Sequence, residues 1–169
     1  SAGAAAQIWK TGHSHMKKRM KELEAPLAGE MSGHIFIADN YLGFDDAIYA
    51  AVRVITQMVK GGQSITEFMD SLPEQHATPE LRIDCPDTVK FDSMEKIRAH
   101  VLSGHDAADV NSIDGVRVRS GDGWWLIRAS NTEAALVARA EAADRTALDR
   151  LLGDIETTLA AAGLDWKRP

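Results

Sequence analysis

The sequence predicts part of a three-layer α/β domain, followed by an α+β domain whose antiparallel four-stranded sheet carries two helices on one face. Three features lead there. Up to about residue 76, apolar residues recur at helical spacing in three stretches, with only two or three short strand-like runs between them. A stretch with two prolines, 73–79, then breaks the pattern. Beyond it the chain reads strand, helix, three strands, helix, and about 90 residues suffice for a self-supporting sheet with helices on one side. The first half, with too few strands to shield its helices, is expected to be the C-terminal part of an α/β domain. The domains are accordingly 1–76 and 77–169.

Taken in order, Ile8 and Trp9 predict a short strand stopped at Thr11-Gly12. Ser14 is placed to cap a helix whose Met16, Met20 and Leu23 recur at i, i+4, i+7. Ala28 to Met31 and His34 to Ala38 read as two short strands around Ser32-Gly33. Asp45 and Asp46 favour a helix start, Ile48, Val52, Ile55 and Val59 supply its apolar stripe, and Gly61 suits its left-handed stop. Ser64 to Glu67 is a capping box for a short helix ending before Pro73, and 73–79 reads as a linker. Leu81, Ile83 and Cys85 alternate as a strand, and Asp92 to Glu95 reads as a second capping box, for a helix ending at Gly104. Strands follow around Val116, Trp124 to Ile127 and Leu136 to Ala140, the first two joined by a turn at Asp122-Gly123. A last helix starts near Thr146 and stops at Gly163.

Composition narrows the function classes. With 44% hydrophobic residues over 169 positions the chain has the make-up of a soluble globular protein, and a net charge of −6 argues against general nucleic-acid affinity. Lys10, Lys17, Lys18, Arg19 and Lys21 precede the first acid, either as a solvated helix face or as a local field drawing an anion. Cys85 is alone, so no internal disulfide forms, and a reducing cytoplasm is the expected location. No apolar stretch approaches a membrane span, and the opening Ser-Ala-Gly-Ala-Ala-Ala is no signal peptide. It also lacks an initiator Met, so the chain is expected to be a portion of something larger or the product of processing.

Two segments carry the chemistry. At 128–133, Arg-Ala-Ser-Asn-Thr-Glu offers a guanidinium, two hydroxyls, an amide and turn N–H groups at a hairpin tip, which is what phosphate oxygens need. Ser and Asn also populate turns for purely local reasons. Arg139 on the returning strand adds a second guanidinium, which symmetric pairing places opposite Trp124, some distance from the tip. At 29–34, Gly-Glu-Met-Ser-Gly-His alternates Glu30, Ser32 and His34, a set suited either to sugar hydroxyls or to the polar face of an edge hairpin. Thr11 to Ser14 opens a helix whose N-terminus can receive an anion or hydroxyl. His13 and His15 have no partner at zinc spacing, and no metal site is expected in this chain. Hydroxyls read in one half and charge held in the other suggest a phosphosugar ligand.

Trp-Lys-Thr-Gly-His-Ser (9–14), Gly-Glu-Met-Ser-Gly-His (29–34), Asp-Asp-Ala-Ile-Tyr-Ala-Ala (45–51) and Arg-Ala-Ser-Asn-Thr-Glu (128–133) stand here in one order. Together they resemble the α-D-phosphohexomutases, in particular the bacterial phosphomannomutase/phosphoglucomutase group, whose members carry Met at the position of Met31. The resemblance implies the latter part of the third domain and all of the fourth. It implies that Glu30 and Ser32 bind the sugar's O3 and O4 with His13 and His34 nearby, and that Arg128, Ser130, Asn131, Thr132 and Arg139 hold the non-reacting phosphate. Ala129 and Ala134 stand where many relatives have proline, implying a less rigid tip.

The family's activity is an intramolecular phosphotransfer (an isomerase reaction) interconverting hexose 1-phosphate and hexose 6-phosphate, through a phosphoserine enzyme and a hexose 1,6-bisphosphate. The phosphoserine loop and the Asp-Gly-Asp-x-Asp-Arg loop for Mg2+ are absent from these residues, so the resemblance implies no catalytic residue here and an inactive chain on its own. The partners it implies are a phosphosugar and the missing N-terminal domains, with neither nucleic acid nor membrane. A stand-alone phosphosugar-binding or regulatory module is the alternative.

Overall fold

The first helix, α1 (His13–Leu23), begins directly behind Gly12, whose φ of 121° turns the chain and whose carbonyl accepts the Met16 N–H at 3.0 Å. The computed structural model describes residues 3–168, in two units that divide between Pro73 and Glu74. No side chain caps α1, so the expected Ser14 cap is not made. The expected strand at Ile8 and Trp9 is also absent. Instead the Arg19 guanidinium lies 4.2 Å from the centre of the Trp9 ring and donates to Gln7 at 2.8 Å, so this segment docks on helix side chains.

Strands β1 (Leu27–Gly29) and β2 (Ile35–Ile37) pair antiparallel, with Leu27 opposite Ile37 and Gly29 opposite Ile35. They are shorter than the sequence implied, and residues 30–34 form the loop between them. Helix α2 (Ala47–Gly61) is capped by Asp46, which accepts the Tyr49 N–H at 2.9 Å, and it stops at Gly62, one residue beyond the expected glycine. Ser64 and Glu67 make the expected capping box of α3 (Ile65–Asp70). Met20, Phe36, Ile37 and Ala50 are buried here, but the α2 stripe lies open, with Ile48 80% and Val59 77% exposed. That stripe has the period of a core face without the core.

The second unit starts with β3 (His76–Ala77), which pairs with β8 (Ala135–Ala142). Thr78 is buried, donating its N–H to the Ala140 carbonyl at 3.0 Å and accepting the Ala140 N–H on its hydroxyl at 3.1 Å. His76 and Ala77 are therefore sheet and Thr78 is bonded to its edge, which corrects the reading of 76–78 as linker. The threonine hydroxyl continues the ladder that Pro79 would otherwise interrupt.

Next come β4 (Leu81–Asp84), α4 (Asp87–Gly104), a short β5 (Val110–Asn111), β6 (Val116–Ser120), β7 (Gly123–Ala129) and, after β8, α5 (Arg145–Ala161). All pairings are antiparallel. The four long strands run β4, β8, β7, β6, with β3 beside β4 on the β8 edge and β5 beyond β6. Helices α4 and α5 cover one face, packing Ile97, Val101, Leu148, Leu151, Ile155 and Leu159 against the sheet's Ile83, Val116, Trp125 and Ile127. Asp144 caps α5 through the Ala147 N–H.

Two local expectations shift. Helix α4 starts at Asp87, behind Pro86, not at the 92–95 box. Ser93 is buried in it, its hydroxyl 3.9 Å from the sulfur of the fully buried Cys85. The β6–β7 turn is Gly121-Asp122, because Ser120 pairs with Gly123. Gly123 has φ of 145°, and a Cβ there would run into the Glu141 carbonyl of β8. At Gly121 the same atom would meet open space. Gly123→Ala should therefore cost roughly 2–3 kcal/mol of the second unit's stability, and Gly121→Ala little. Urea unfolding followed by the fluorescence of buried Trp125 measures both, and equal midpoints for the two variants would contradict the close approach.

Candidate functional site

In the first unit, backbone bonds close the 30–34 loop. Glu30 N–H reaches the His34 carbonyl at 2.9 Å and Gly33 N–H reaches the Glu30 carbonyl at 3.0 Å. Glu30, Ser32 and His34 therefore sit around a loop and not along one strand face. The Glu30 carboxylate accepts the Gly12 N–H at 2.9 Å and tethers the loop to the start of α1. Its other oxygen lies 3.5 Å from the Ser32 hydroxyl.

That tether brings His13 and His34 together, their ring centroids 4.4 Å apart and nearly perpendicular. Between them stands Asp45, which the sequence marks as a helix start and as part of the 45–51 motif but not as a site residue. Its Oδ2 is 2.7 Å from His34 Nδ1 and 3.5 Å from His13 Nε2, while Oδ1 accepts the Ile35 N–H at 3.2 Å. A carboxylate only accepts, so in this contact His34 donates from Nδ1. Burial pushes the Asp45 carboxyl up. The His34 and Ile35 hydrogen bonds and the two imidazoles together outweigh it and hold the group below its ordinary value. Asp45 lies in the 45–51 motif, so the signal was present, but 11 residues separate it from His34 and no local spacing reveals the contact.

In the second unit, the Ser130 N–H to Ala135 carbonyl bond, at 2.9 Å, closes the tip between β7 and β8. Asn131 and Thr132 are exposed as expected, but Ser130 is buried. Its hydroxyl accepts the N–H groups of Thr132 at 3.3 Å and Glu133 at 3.1 Å. Those two amides are spent on the turn. Groups still directed to an anion include the Arg128 guanidinium, one of whose amino groups lies 3.4 Å from the Ala129 carbonyl, the Ser130 hydroxyl proton and the Asn131 and Thr132 side chains.

The pairing puts Leu126, not Trp124, opposite Arg139. Arg128, opposite Val137, and Arg139 therefore lie on the same sheet face one diagonal step apart, closer than symmetric counting implied. Arg117, opposite Leu126 on the other side, lies on that face too, its guanidinium 4.5 Å from the Trp124 ring centre. Burial and then the neighbouring Arg119 draw its pKa down.

The residue sequence reasoning missed altogether is Lys90. Its ammonium is buried in the first turn of α4 and donates to the carbonyls of Ser130 at 3.0 Å and Glu133 at 2.8 Å, with Asp87 Oδ1 at 2.6 Å. It ties both ends of the tip to the helix from 40 residues away. Glu133 in turn bonds Arg82, so it adds little free negative charge beside the tip. Lys90→Met would strip two carbonyls of their donor, a cost of about 1–3 kcal/mol. Amide exchange at Ser130–Glu133 should quicken in Lys90→Met and recover partly in Lys90→Arg. Unchanged exchange in Lys90→Met would mean that the tip holds itself.

A two-unit chain of this form, α/β then α+β with these loops, has close counterparts among known proteins. Residues 1–76 match the α/β/α domain III of phosphoglucomutase/phosphomannomutase, and residues 80–158 match the C-terminal domain of the same enzymes. A phosphomannomutase/phosphoglucomutase of Pseudomonas putida is 43% identical over 93% of this chain and 34% of its own length. A solved structure of a family protein from Burkholderia thailandensis superposes with a TM-score of 0.81 at 38% identity, over 93% of this chain and 33% of its own. The N-acetylphosphoglucosamine mutase of Aspergillus fumigatus, solved with glucose 1,6-bisphosphate, shares the fold at a TM-score of 0.59 and 16% identity, over 93% of this chain and 34% of that one. The chain belongs to the phosphoglucomutase/phosphomannomutase family. It spans about a third of the length of the relatives it matches.

Proposed function

We propose that this chain is the substrate-recognising portion of a phosphohexomutase that interconverts hexose 1-phosphate and hexose 6-phosphate, with mannose and glucose as the sugars. The observation that carries this reading is the braced tip at 128–133, in a chain that belongs to the family. Arg128 is its main phosphate ligand, with two parallel donors for two oxygens. Arg139 adds charge from the same face, and Ser130, Asn131 and Thr132 complete the grip. Glu30 and Ser32 bind sugar hydroxyls, with His34 Nε2 and His13 beside them.

Phosphoryl transfer itself belongs, in this reading, to other residues. The 169 positions hold no Asp-Gly-Asp-x-Asp-Arg loop. The Mg2+ implied by the family takes oxygen ligands in an octahedron. Among the described residues the metal-type grouping is two imidazoles and one carboxylate, which does not suit it. The open α2 stripe and the domain boundary near residue 76 also fit this reading, Ile48, Val52, Ile55 and Val59 being covered by the remaining strands of the same α/β domain. A cytoplasmic location is part of the proposal. Among the described residues no helix is long and apolar enough to cross a membrane.

Two outcomes are expected. The isolated chain should not convert mannose 1-phosphate to the 6-phosphate when given hexose 1,6-bisphosphate and magnesium, and measurable turnover would sink the division of labour. In the complete enzyme, Arg128→Ala should weaken phosphosugar binding most, by about 1.5–3 kcal/mol, because it removes charge-assisted bonds. Ser130→Ala should rank second, since it also frees the Thr132 and Glu133 amides, and Thr132→Ala third. Calorimetric titration with glucose 6-phosphate gives the order, and a neutral Arg128→Ala would remove the tip from the site.

A further inference from the structure

We infer that His13, His34 and Asp45 form a binding site for one Zn2+-class transition-metal ion, distinct from any magnesium chemistry of the family. One nitrogen from each ring and one Asp45 oxygen all lie within 4.8 Å of one another. Two of the edges are known, 2.7 Å from His34 Nδ1 to Asp45 Oδ2 and 3.5 Å from His13 Nε2 to the same oxygen. Tetrahedral zinc with bonds of about 2.0–2.1 Å needs ligand atoms about 3.3 Å apart, so small side-chain movements close the set. Two imidazoles and a carboxylate select zinc, cobalt or nickel over the hard cations.

The three ligands come from separate places: the start of α1, the end of the 30–34 loop and the residues before α2. Two of them are held from behind. Asp45 Oδ1 is fixed by the Ile35 N–H, and the His13 ring meets the fully buried Phe36 edge-on at 5.3 Å. The site is also reachable from solvent, the imidazole side chains being 44% and 43% exposed. On binding, the His34 proton moves through solvent from Nδ1 to Nε2, and the Nδ1 lone pair takes the metal. Three protein ligands leave a fourth position for water.

If the loop reads sugar hydroxyls as proposed above, a metal here engages His34 and His13 and so competes with the sugar. Binding itself does not rest on that reading.

Titration of the purified chain with zinc chloride, in phosphate-free buffer and against a fluorescent zinc chelator, tests the site. One equivalent should bind, and cobalt(II) should give the intense visible absorption of a tetrahedral centre. His13→Ala, His34→Ala and Asp45→Asn should each weaken binding at least as much as loss of an outer-shell partner does, about 10–100-fold. Asparagine keeps an oxygen for the Ile35 N–H, so that variant retains the local fold, which circular dichroism checks. His15→Ala and His76→Ala should bind as the parent does. Zinc affinity unchanged in Asp45→Asn or His34→Ala, or lost in His15→Ala, would overturn the assignment, as would the absence of binding at millimolar zinc. Competition with glucose 6-phosphate is scored separately: zinc bound without competition keeps the metal site and counts against the sugar reading.

Discussion

Strand β8 is the constraint on which the second unit turns. It is paired along both edges, to β7 on one side and to β4 and β3 on the other. Its helix-facing residues are mostly small: Ala138, Ala140 and Ala142 stand opposite Ile127, Trp125 and Gly123. Bulk on one strand thus meets space on the next, and the helices can approach closely. The other face carries Arg139 and Glu141. A slip of one residue would drive that arginine into the core and an alanine out of it. The packing of the alanines thereby fixes which face carries the guanidinium, and the register that builds the core also sets Arg128 and Arg139 on one side of the sheet.

The two candidate sites share a physical device. In each, a charged side chain near the start of a helix fixes a loop contributed by a distant part of the chain. Asp45 holds His34 and the backbone of Ile35, and Lys90 holds the carbonyls of Ser130 and Glu133. Burying an ammonium is unfavourable unless its protons are all used, and Lys90 uses them on two carbonyls and a carboxylate. The tip, with alanines at 129 and 134 where many relatives have proline, is instead bonded from beneath by this ammonium.

The fold was legible where short-range chemistry decides it. Asp46, the Ser64–Glu67 box and the alternation of Leu81 and Ile83 each act within a few residues and stand where expected. Errors arose where a contact distant in sequence prevailed. The sequence reads Trp9 as strand because nothing local announces Arg19 as its partner, and 76–78 as linker because Thr78 completes its ladder with a hydroxyl bonded 62 residues away. The sequence reads the start of α4 at the 92–95 box because Asp92 and Glu95 stand at capping-box spacing, whereas the helix already runs from Asp87 and buries Ser93 beside Cys85. In the candidate site the motif residues themselves were readable. Their supports were not: Asp45, Lys90 and Arg117 matter through contacts made only once the chain is folded.

The reach of Lys90 has a consequence for portability. Six contiguous residues carry the recognisable motif, yet the shape of that motif is encoded at two addresses, 87–90 and 128–133. A tip transplanted alone onto another hairpin would bring its arginine and hydroxyls without the cation that pins its carbonyls. Its donors would then sample many arrangements, and each anion bound would have to impose the ordering that the helix supplies here. The portable unit is the tip together with the first turn of α4, spaced by the strands that set their separation.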